Sequence, residues 1–301
     1  MRRAIKNYWI LYLYLLPAIG LTLVFNYLPT FSNVIAFMDY KIYNGWMGLS
    51  SSWVGFKNFQ FLQTAEFWQL AWRTVYYSFF ILLFSFPAPL ILALLMNELR
   101  CQIFKKFVQT VSYIPHFVSW VTVASLFYIF LSYDPSGAVN NIIQAVFGGE
   151  RQVFMQNSSL FLPLLIVSQM WKEVGWGSIL YLAAITMIDP QLYEAARVDG
   201  ANRWHQMRHI TLPGMASTTV ILLVFSLGGL FSGNFDQIFN FQNQVIQNQT
   251  NIINTFTFYK GIREQQFSLA TAVGLFQGLI GFLLMFAANW AGKKYNDTGI
   301  I

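Results

Sequence analysis

Thr74-Val-Tyr-Tyr-Ser-Phe-Phe-Ile-Leu-Leu-Phe-Ser-Phe-Pro-Ala-Pro-Leu-Ile-Leu-Ala-Leu-Leu-Met96 runs for 23 residues without a charge. A helix needs about 20 apolar residues to cross the hydrocarbon core of a bilayer. Lipid offers the backbone no hydrogen-bond partner, so a span must satisfy its own amides as a helix or close into a barrel. Barrel strands alternate apolar and polar residues over about 10 positions, and this run does not. Five further stretches read the same way, at 9–30, 107–131, 161–187, 216–235 and 268–291. The expectation is an all-α integral membrane protein, with residues 1–301 as one domain of six transmembrane helices.

Composition agrees with that expectation. Of the 301 residues, 56% are apolar and 10% charged, and the mean hydropathy is +0.48. A soluble domain carries about 25% charged residues, so a soluble enzyme and a disordered chain are both excluded. The formal charge of +6 forms no stripe for nucleic acid; the bases sit between apolar runs, where they report orientation. With the amino terminus inside, Arg2, Arg3, Lys6, Arg100, Lys105, Lys106, Arg197, Arg203, Arg208, Lys293 and Lys294 fall on the cytoplasmic side. Lys41, Lys57, Arg73, Arg151, Lys260 and Arg263 fall outside, eleven against six, and Lys172 lies within a span. Both termini are therefore expected in the cytoplasm. The lone Cys101 excludes a disulfide framework and a Cys-based metal site. The first apolar run, Tyr8 to Thr30, is too long for a signal-peptide core and lacks a small-residue cleavage site, so no cleavable signal is expected.

The outer segments differ from the inner ones. Residues 38–73 mix Trp46, Trp53, Phe56, Phe59, Phe61, Phe67 and Trp68 with polar residues, as suits short helices at the membrane interface. Residues 236–266 are rich in Asn and Gln and read as an ordered polar loop, either a docking surface or a solvated connector.

The most informative cytoplasmic loop is 189–213, from Asp189-Pro190-Gln191-Leu192-Tyr193-Glu194-Ala195-Ala196-Arg197-Val198-Asp199-Gly200-Ala201 to Ile210-Thr211-Leu212-Pro213. Asp189 suits a helix cap and Pro190 the first helical position. Leu192, Ala195 and Ala196 share one face, and Gly200 suits the left-handed residue that ends a helix. This reads as a helix–turn–helix outside the bilayer that presents small residues to another protein.

Glu194-Ala195-Ala196, three residues, Gly200, nine residues, then Ile210-x-Leu212-Pro213 resembles the EAA loop of ABC-importer permeases across its full spacing. Trp171-Lys172-Glu173-Val174-Gly175-Trp176 and Tyr181-Leu182-Ala183-Ala184 resemble the sugar-permease branch, as do Val54-Gly55-Phe56-Lys57-Asn58-Phe59 and Ile114-Pro115. The resemblance covers roughly residues 9–295 and is sharpest at 171–213. It implies the type I ABC-importer permease fold, in the cell membrane of a bacterium. It also implies import of sugars, oligosaccharides or polysaccharide fragments delivered by an extracellular solute-binding protein. A second, different permease would complete the pathway as a heterodimer. Two cytoplasmic ATPases would bind the ATP and Mg, and would dock on Glu194, Ala195, Ala196, Asp199, Gly200, Ile210, Leu212 and Pro213. The chain itself holds no Gly-x-x-x-x-Gly-Lys-Ser/Thr loop, so no catalysis and no cofactor are expected of it.

Charged residues in a span face a cavity or a partner. By the resemblance, Glu173 and Trp176, with neighbouring Trp171 and Lys172, belong to the sugar pathway, and Asn234 joins them from the next span. Adjacent helical residues point about 100° apart, so Lys172 and Glu173 are not expected to neutralise each other. The competing role for that pair is a bond across the permease interface. His116 reads as a helix-start residue, and Asp236 as a solvated helix end. Gly229 and Gly233, and Ala270, Gly274 and Gly278, read as packing positions. His205 and His209 lie one turn apart but have no acidic third ligand. An ion-coupled secondary carrier is the alternative, although no internal repeat is evident. An intramembrane hydrolase lacks an assembled nucleophile and base.

Overall fold

The computed structural model describes residues 2–44, 50–231 and 233–296. Trp46 and the side chains of Arg2, Arg3, Lys6 and Lys294 lie outside the described residues. Every regular element among the described residues is helical apart from one isolated bridge between Met38 and Trp53. The principal helices are α1 (Arg2–Thr22), α2 (Ala65–Ser85), α3 (Pro87–Glu98), α4 (Gln102–Tyr113) and α5 (Trp120–Phe130). They continue with α6 (Ala138–Phe147), α7 (Ser158–Thr186), α8 (Pro190–Val198), α9 (Arg203–Gln206), α10 (Ala216–Gly228), α11 (Phe235–Phe241) and α12 (Phe267–Asn296).

Three helical stretches are long and apolar enough to cross a membrane: Tyr8–Phe37, Ala65–Glu98 and Phe267–Trp290. Two bent pairs bring the number to five if each is one span. They are Gln102–Phe117 with Trp120–Phe130, bent by 101°, and Arg203–Gly214 with Ala216–Gly228, bent by 56°. The stretch expected as one span at 107–131 is thus broken. Ser119 sits in extended conformation and caps α5, its Oγ accepting the Thr122 N–H at 3.2 Å. The stretch expected at 216–235 also ends early, at Gly228. A turn follows, Gly233 takes φ +63°, and α11 begins at Phe235. Asp236 therefore lies in the first turn of a new helix instead of closing the old one.

α7 is one unbroken helix of 29 residues, about 43 Å long at 1.5 Å per residue. It carries Gln169, Lys172 and Glu173 at its middle, which keeps it out of the apolar class. Protein shields much of this polar belt: Ser168, Lys172, Gly175, Ser178 and Tyr181 are all buried.

The chain divides into two compact units, Met1–Trp68 with Phe256–Gln277, and Gln69–Thr255 with Gly278–Ile301. In the first, Phe37 stacks on Trp53 at 5.7 Å and meets Phe59 at 5.1 Å. Asn58 Nδ2 donates to the carbonyls of Ala36 and Met38, fixing the 53–59 turn. Phe61 stacks on Phe256 at 4.9 Å, and Phe67 is fully buried.

The second unit is built around α7. Hydrocarbon chains are as apolar as Leu, so helices in lipid associate by close packing more than by exclusion of water. Small residues make that approach here. A Cβ on Gly175 would fall 2.0 Å from the Ser112 carbonyl oxygen of α4, and one on Gly177 would fall 2.9 Å from Pro89 of α3. Gly228 of α10 meets Met285 of α12. The packing glycine of α10 is thus Gly228 and not Gly229. Gly233 lies beyond the helix, against Ile252 and Thr74, and no described atom comes within 4 Å of a Cβ at Gly274 or Gly278. One buried cluster joins Val123 and Ala124 of α5, Phe161 and Leu165 of α7, and Ile238 and Phe241 of α11. A second joins Ala93, Tyr181, Ala184, Ile185 and Met215.

Candidate functional site

Two places in the second unit concentrate polar chemistry. The first is the loop after α7. Asp189 Oδ1 accepts the Gln191 N–H at 2.9 Å, and Pro190 opens α8. Gly200 takes φ +80°. The Ala201 N–H then reaches the Ala196 carbonyl at 2.8 Å, and the Gly200 N–H reaches that of Arg197 at 3.2 Å. That pair of bonds is the Schellman stop, which needs a left-handed residue. Asn202 Oδ1 caps α9 by accepting the His205 N–H at 2.9 Å.

Leu192 and Val198 are exposed, Val198 at 88%. Glu194, Ala195, Asp199, Gly200, Leu212 and Pro213 are exposed, while Ala196 and Ile210 are half-buried. The Tyr193 hydroxyl meets Thr211 Oγ1 at 2.9 Å and ties α8 to the segment that leads into α10. Arg203 pairs with Glu98 at 3.1 Å, both exposed, a bond of about 0–1 kcal/mol. The His205 and His209 rings stack at 5.4 Å with His209 Nδ1 on the His205 carbonyl. No group of three His, Cys, Asp or Glu among the described residues could hold a metal.

The second place is a cleft of about 450 Å³ beside the middle of α7. Its lining includes Ser85, Phe86 and Pro89 at the α2–α3 break, Gln169, Glu173, Trp176 and Tyr181 of α7, Leu222 and Ser226 of α10, and Asn234. A smaller cleft of about 330 Å³, lined by Trp120, Gly233, Asp236 and Gln237, shares Gln169, Glu173 and Asn234 with it. Both clefts lie where helices break. Irregular backbone at membrane depth is tolerated where it is enclosed by protein or lines a cavity.

Glu173, Trp176 and Asn234 are therefore brought to one cleft. Trp171 and Lys172 are not among its lining residues. Lys172 is buried: its Nζ donates to the His116 carbonyl, lies 3.5 Å from Glu173 Oε1, and sits 5.5 Å from the Trp120 ring centroid. The expectation that Lys172 and Glu173 leave each other unpaired is corrected, because the long side chains bend together although their Cβ atoms diverge. Asn234 Nδ2 donates to Gln237 Oε1 at 3.4 Å, and the fully buried Gln237 Nε2 donates to the Leu165 carbonyl at 2.7 Å and to Ser168 Oγ at 2.8 Å. These bonds pin the start of α11 to α7.

His116 does more than start a helix. Its Nδ1 lies 2.8 Å from Glu173 Oε2, and its ring stacks on Trp176 at 4.3 Å with the planes 1° apart. It holds both cleft residues from a neighbouring element. The signal for it in the sequence was weak: a histidine beside a proline in an otherwise apolar run.

A family model described as "Binding-protein-dependent transport system inner membrane component" matches residues 69–297. The chain is 44% identical over 291 residues to the polygalacturonan/rhamnogalacturonan transport system permease protein YteP of Bacillus subtilis, covering 96% of this chain and 89% of that one. It is 40% identical over 296 residues to Protein LplB of the same organism, covering 98% and 92%. Among solved structures, it superposes on a chain of a bacterial alginate ABC transporter in complex with an alginate pentasaccharide-bound periplasmic protein. The TM-score is 0.90 and the identity 36%, over 100% of this chain and 99% of that one.

Proposed function

The chain belongs to the binding-protein-dependent transport system inner membrane components, and from that premise we propose that it is the permease subunit of an ATP-driven importer of oligosaccharides or polysaccharide fragments. The observation that carries the sugar reading is the convergence of Glu173, Trp176 and Asn234 on one cleft at the middle of α7. An indole face with hydrogen-bonding groups around it suits a sugar ring, whose C–H face stacks while its hydroxyls bond. Six spans then cross the membrane with both termini in the cytoplasm: the three apolar stretches, the two bent pairs, and α7.

A cleft this size on one chain is half a pathway, so a second, different permease completes it. An extracellular solute-binding protein delivers the sugar. Two cytoplasmic ATPases, which hold ATP and Mg, dock on Glu194, Ala195, Ala196, Asp199, Gly200, Ile210, Leu212 and Pro213. The Tyr193–Thr211 bond supplies a mechanical link. Motion of α8 is passed to the foot of α10, and Leu222 and Ser226 further along α10, with Gly229 just past its end, line the cleft.

The native complex should purify with a second permease and two ATPase copies, identifiable by mass. In proteoliposomes it should import sugar only with the loaded binding protein and ATP. Import by this chain alone, or import driven by an ion gradient without ATP, would refute the reading. Glu194→Lys should insert normally and lower ATP-driven uptake at least tenfold, because the charge reversal lies in an exposed loop and touches no span. Undiminished uptake at normal expression would remove the coupling role.

A further inference from the structure

The charges around the cleft bear on which sugars it takes. Among the described residues that line either part of it, none is Lys or Arg, while Glu173 and Asp236 contribute carboxyl groups. Lys172, the nearest base on α7, is withdrawn: its side chain is 7% exposed and is held by Glu173, the His116 carbonyl and the Trp120 ring. A carboxylate on an entering sugar would meet the Asp236 carboxylate, a Glu173 carboxylate already balanced by Lys172, and no free Lys or Arg among the described lining residues. Like charges in a partly desolvated site repel more strongly than in water.

Two buried polar atoms point the other way. Ser85 Oγ and Gln169 Oε1 have no hydrogen-bond partner among the described residues, and both residues line the cleft. Native proteins leave few such groups unsatisfied, and each needs an explanation. Ser85 closes α2, one residue short of the break at Pro87, and Gln169 lies one turn from Glu173 on α7. Trp176 is fixed between the stacked His116 ring and the edge-on Phe117 ring at 5.6 Å, and keeps 43% of its surface free.

We propose that this cleft is a subsite for a neutral, hydroxyl-bearing sugar ring, read by Ser85 and Gln169, and that it disfavours a uronate at the same position. The proposal rests on the sugar-permease reading and adds the ring chemistry and the two residues that select it.

The test is saturation-transfer NMR on the intact complex in nanodiscs, without binding protein. The probes are α-1,4-galactotriose and α-1,4-trigalacturonate, which differ at C6 alone. Galactotriose should receive saturation and trigalacturonate should bind at least tenfold more weakly. Ser85→Ala and Gln169→Leu should each weaken galactotriose about three- to tenfold, the range of one lost hydrogen bond. Without sugar, Ser85→Ala should melt at or above the wild-type temperature, because the hydroxyl it removes has no partner. Lys172→Met should widen the preference for galactotriose, because it leaves the Glu173 carboxylate in the cleft without its ammonium partner. Equal or tighter binding of trigalacturonate, unchanged binding in both cleft variants, or no transfer to either sugar would each overturn the proposal. Loss of ATP-driven import of every glycan by the wild-type complex would instead overturn the permease reading. Import that persists while the cleft variants bind galactotriose normally would overturn this inference alone.

Discussion

At the loop 189–213 the capping bonds close over two to five residues: Asp189 to Gln191, Asn202 to His205, Ala201 to Ala196. In the cleft beside α7 they close over 57 residues from His116 to Glu173, and over 72 from Leu165 to Gln237. The loop is a local structure that needs little from the rest of the chain. The cleft exists only once four separate elements have packed. This difference sets how each region should respond to change: the cleft by failing to assemble, the loop by losing a function while the protein stands.

The largest effect belongs to Gly175→Ala. The new methyl would lie 2.0 Å from the Ser112 carbonyl oxygen and 2.3 Å from its carbon, both backbone atoms that no rotamer change can move. α4 must then separate from α7, and His116, only three residues beyond the end of α4, goes with it. Overpacking costs about 1–3 kcal/mol and more where backbone must shift, so about 3 kcal/mol is expected here. Thermal unfolding in detergent should show a large drop in midpoint or a failure to recover the complex. A wild-type midpoint would mean that α4 and α7 do not meet at Gly175.

Glu173→Ala comes next. It removes the acceptor shared by Lys172 and His116 and leaves a buried ammonium with the His116 carbonyl as its hydrogen-bond partner. Stranding a charge-assisted bond costs about 1–3 kcal/mol, and the 30% exposure of the Glu173 side chain argues for the lower half. Adding Lys172→Met should restore most of that loss, because removing both members of a pair is far cheaper than removing one. If the double variant is no more stable than the single one, Lys172 is anchored by its carbonyl bond and not by the pair.

The same contrast explains what was legible in the sequence. The caps of the loop and the stop at Gly200 could be read because short spacings specify them. The helical class followed from apolar run length. The breaks at 118–119 and after Gly228 did not, since the residues around them are mostly apolar or small and a hydropathy window passes over them. Pro115 was visible, but an apolar run gives no sign that Ser119 will cap a second helix at 101°. The pairing of Lys172 with Glu173 was not legible, because adjacent Cβ atoms diverge on a helix while these long side chains bend together. Ser85, His116 and Gln169 carry no spacing that links them; only packing brings Ser85 and Gln169 to one cleft and sets His116 against its Glu173 and Trp176.

The smallest effect, and the sharpest test of the comparison, is Gly200→Ala. Nothing lies within 4 Å of a Cβ at Gly200, so unlike Gly175 it has room for a methyl. Its constraint is conformational. At φ +80° an L-residue loses about 1–2 kcal/mol to contact between Cβ and backbone, and Asn less than Ala because it tolerates that region. The cost falls on a nine-residue exposed helix, α8, whose unfolding does not require the rest of the protein to open. Global unfolding should therefore move little, while amide exchange in 190–201 should speed up about fivefold to thirtyfold, with Asn between Gly and Ala. If α8 is the coupling helix, ATP-driven uptake should fall in the order Gly, Asn, Ala. The comparison breaks if Gly200→Ala lowers the global midpoint as far as Gly175→Ala does, for the loop would then be part of the cooperative core and its short-range bonds would not be what holds it.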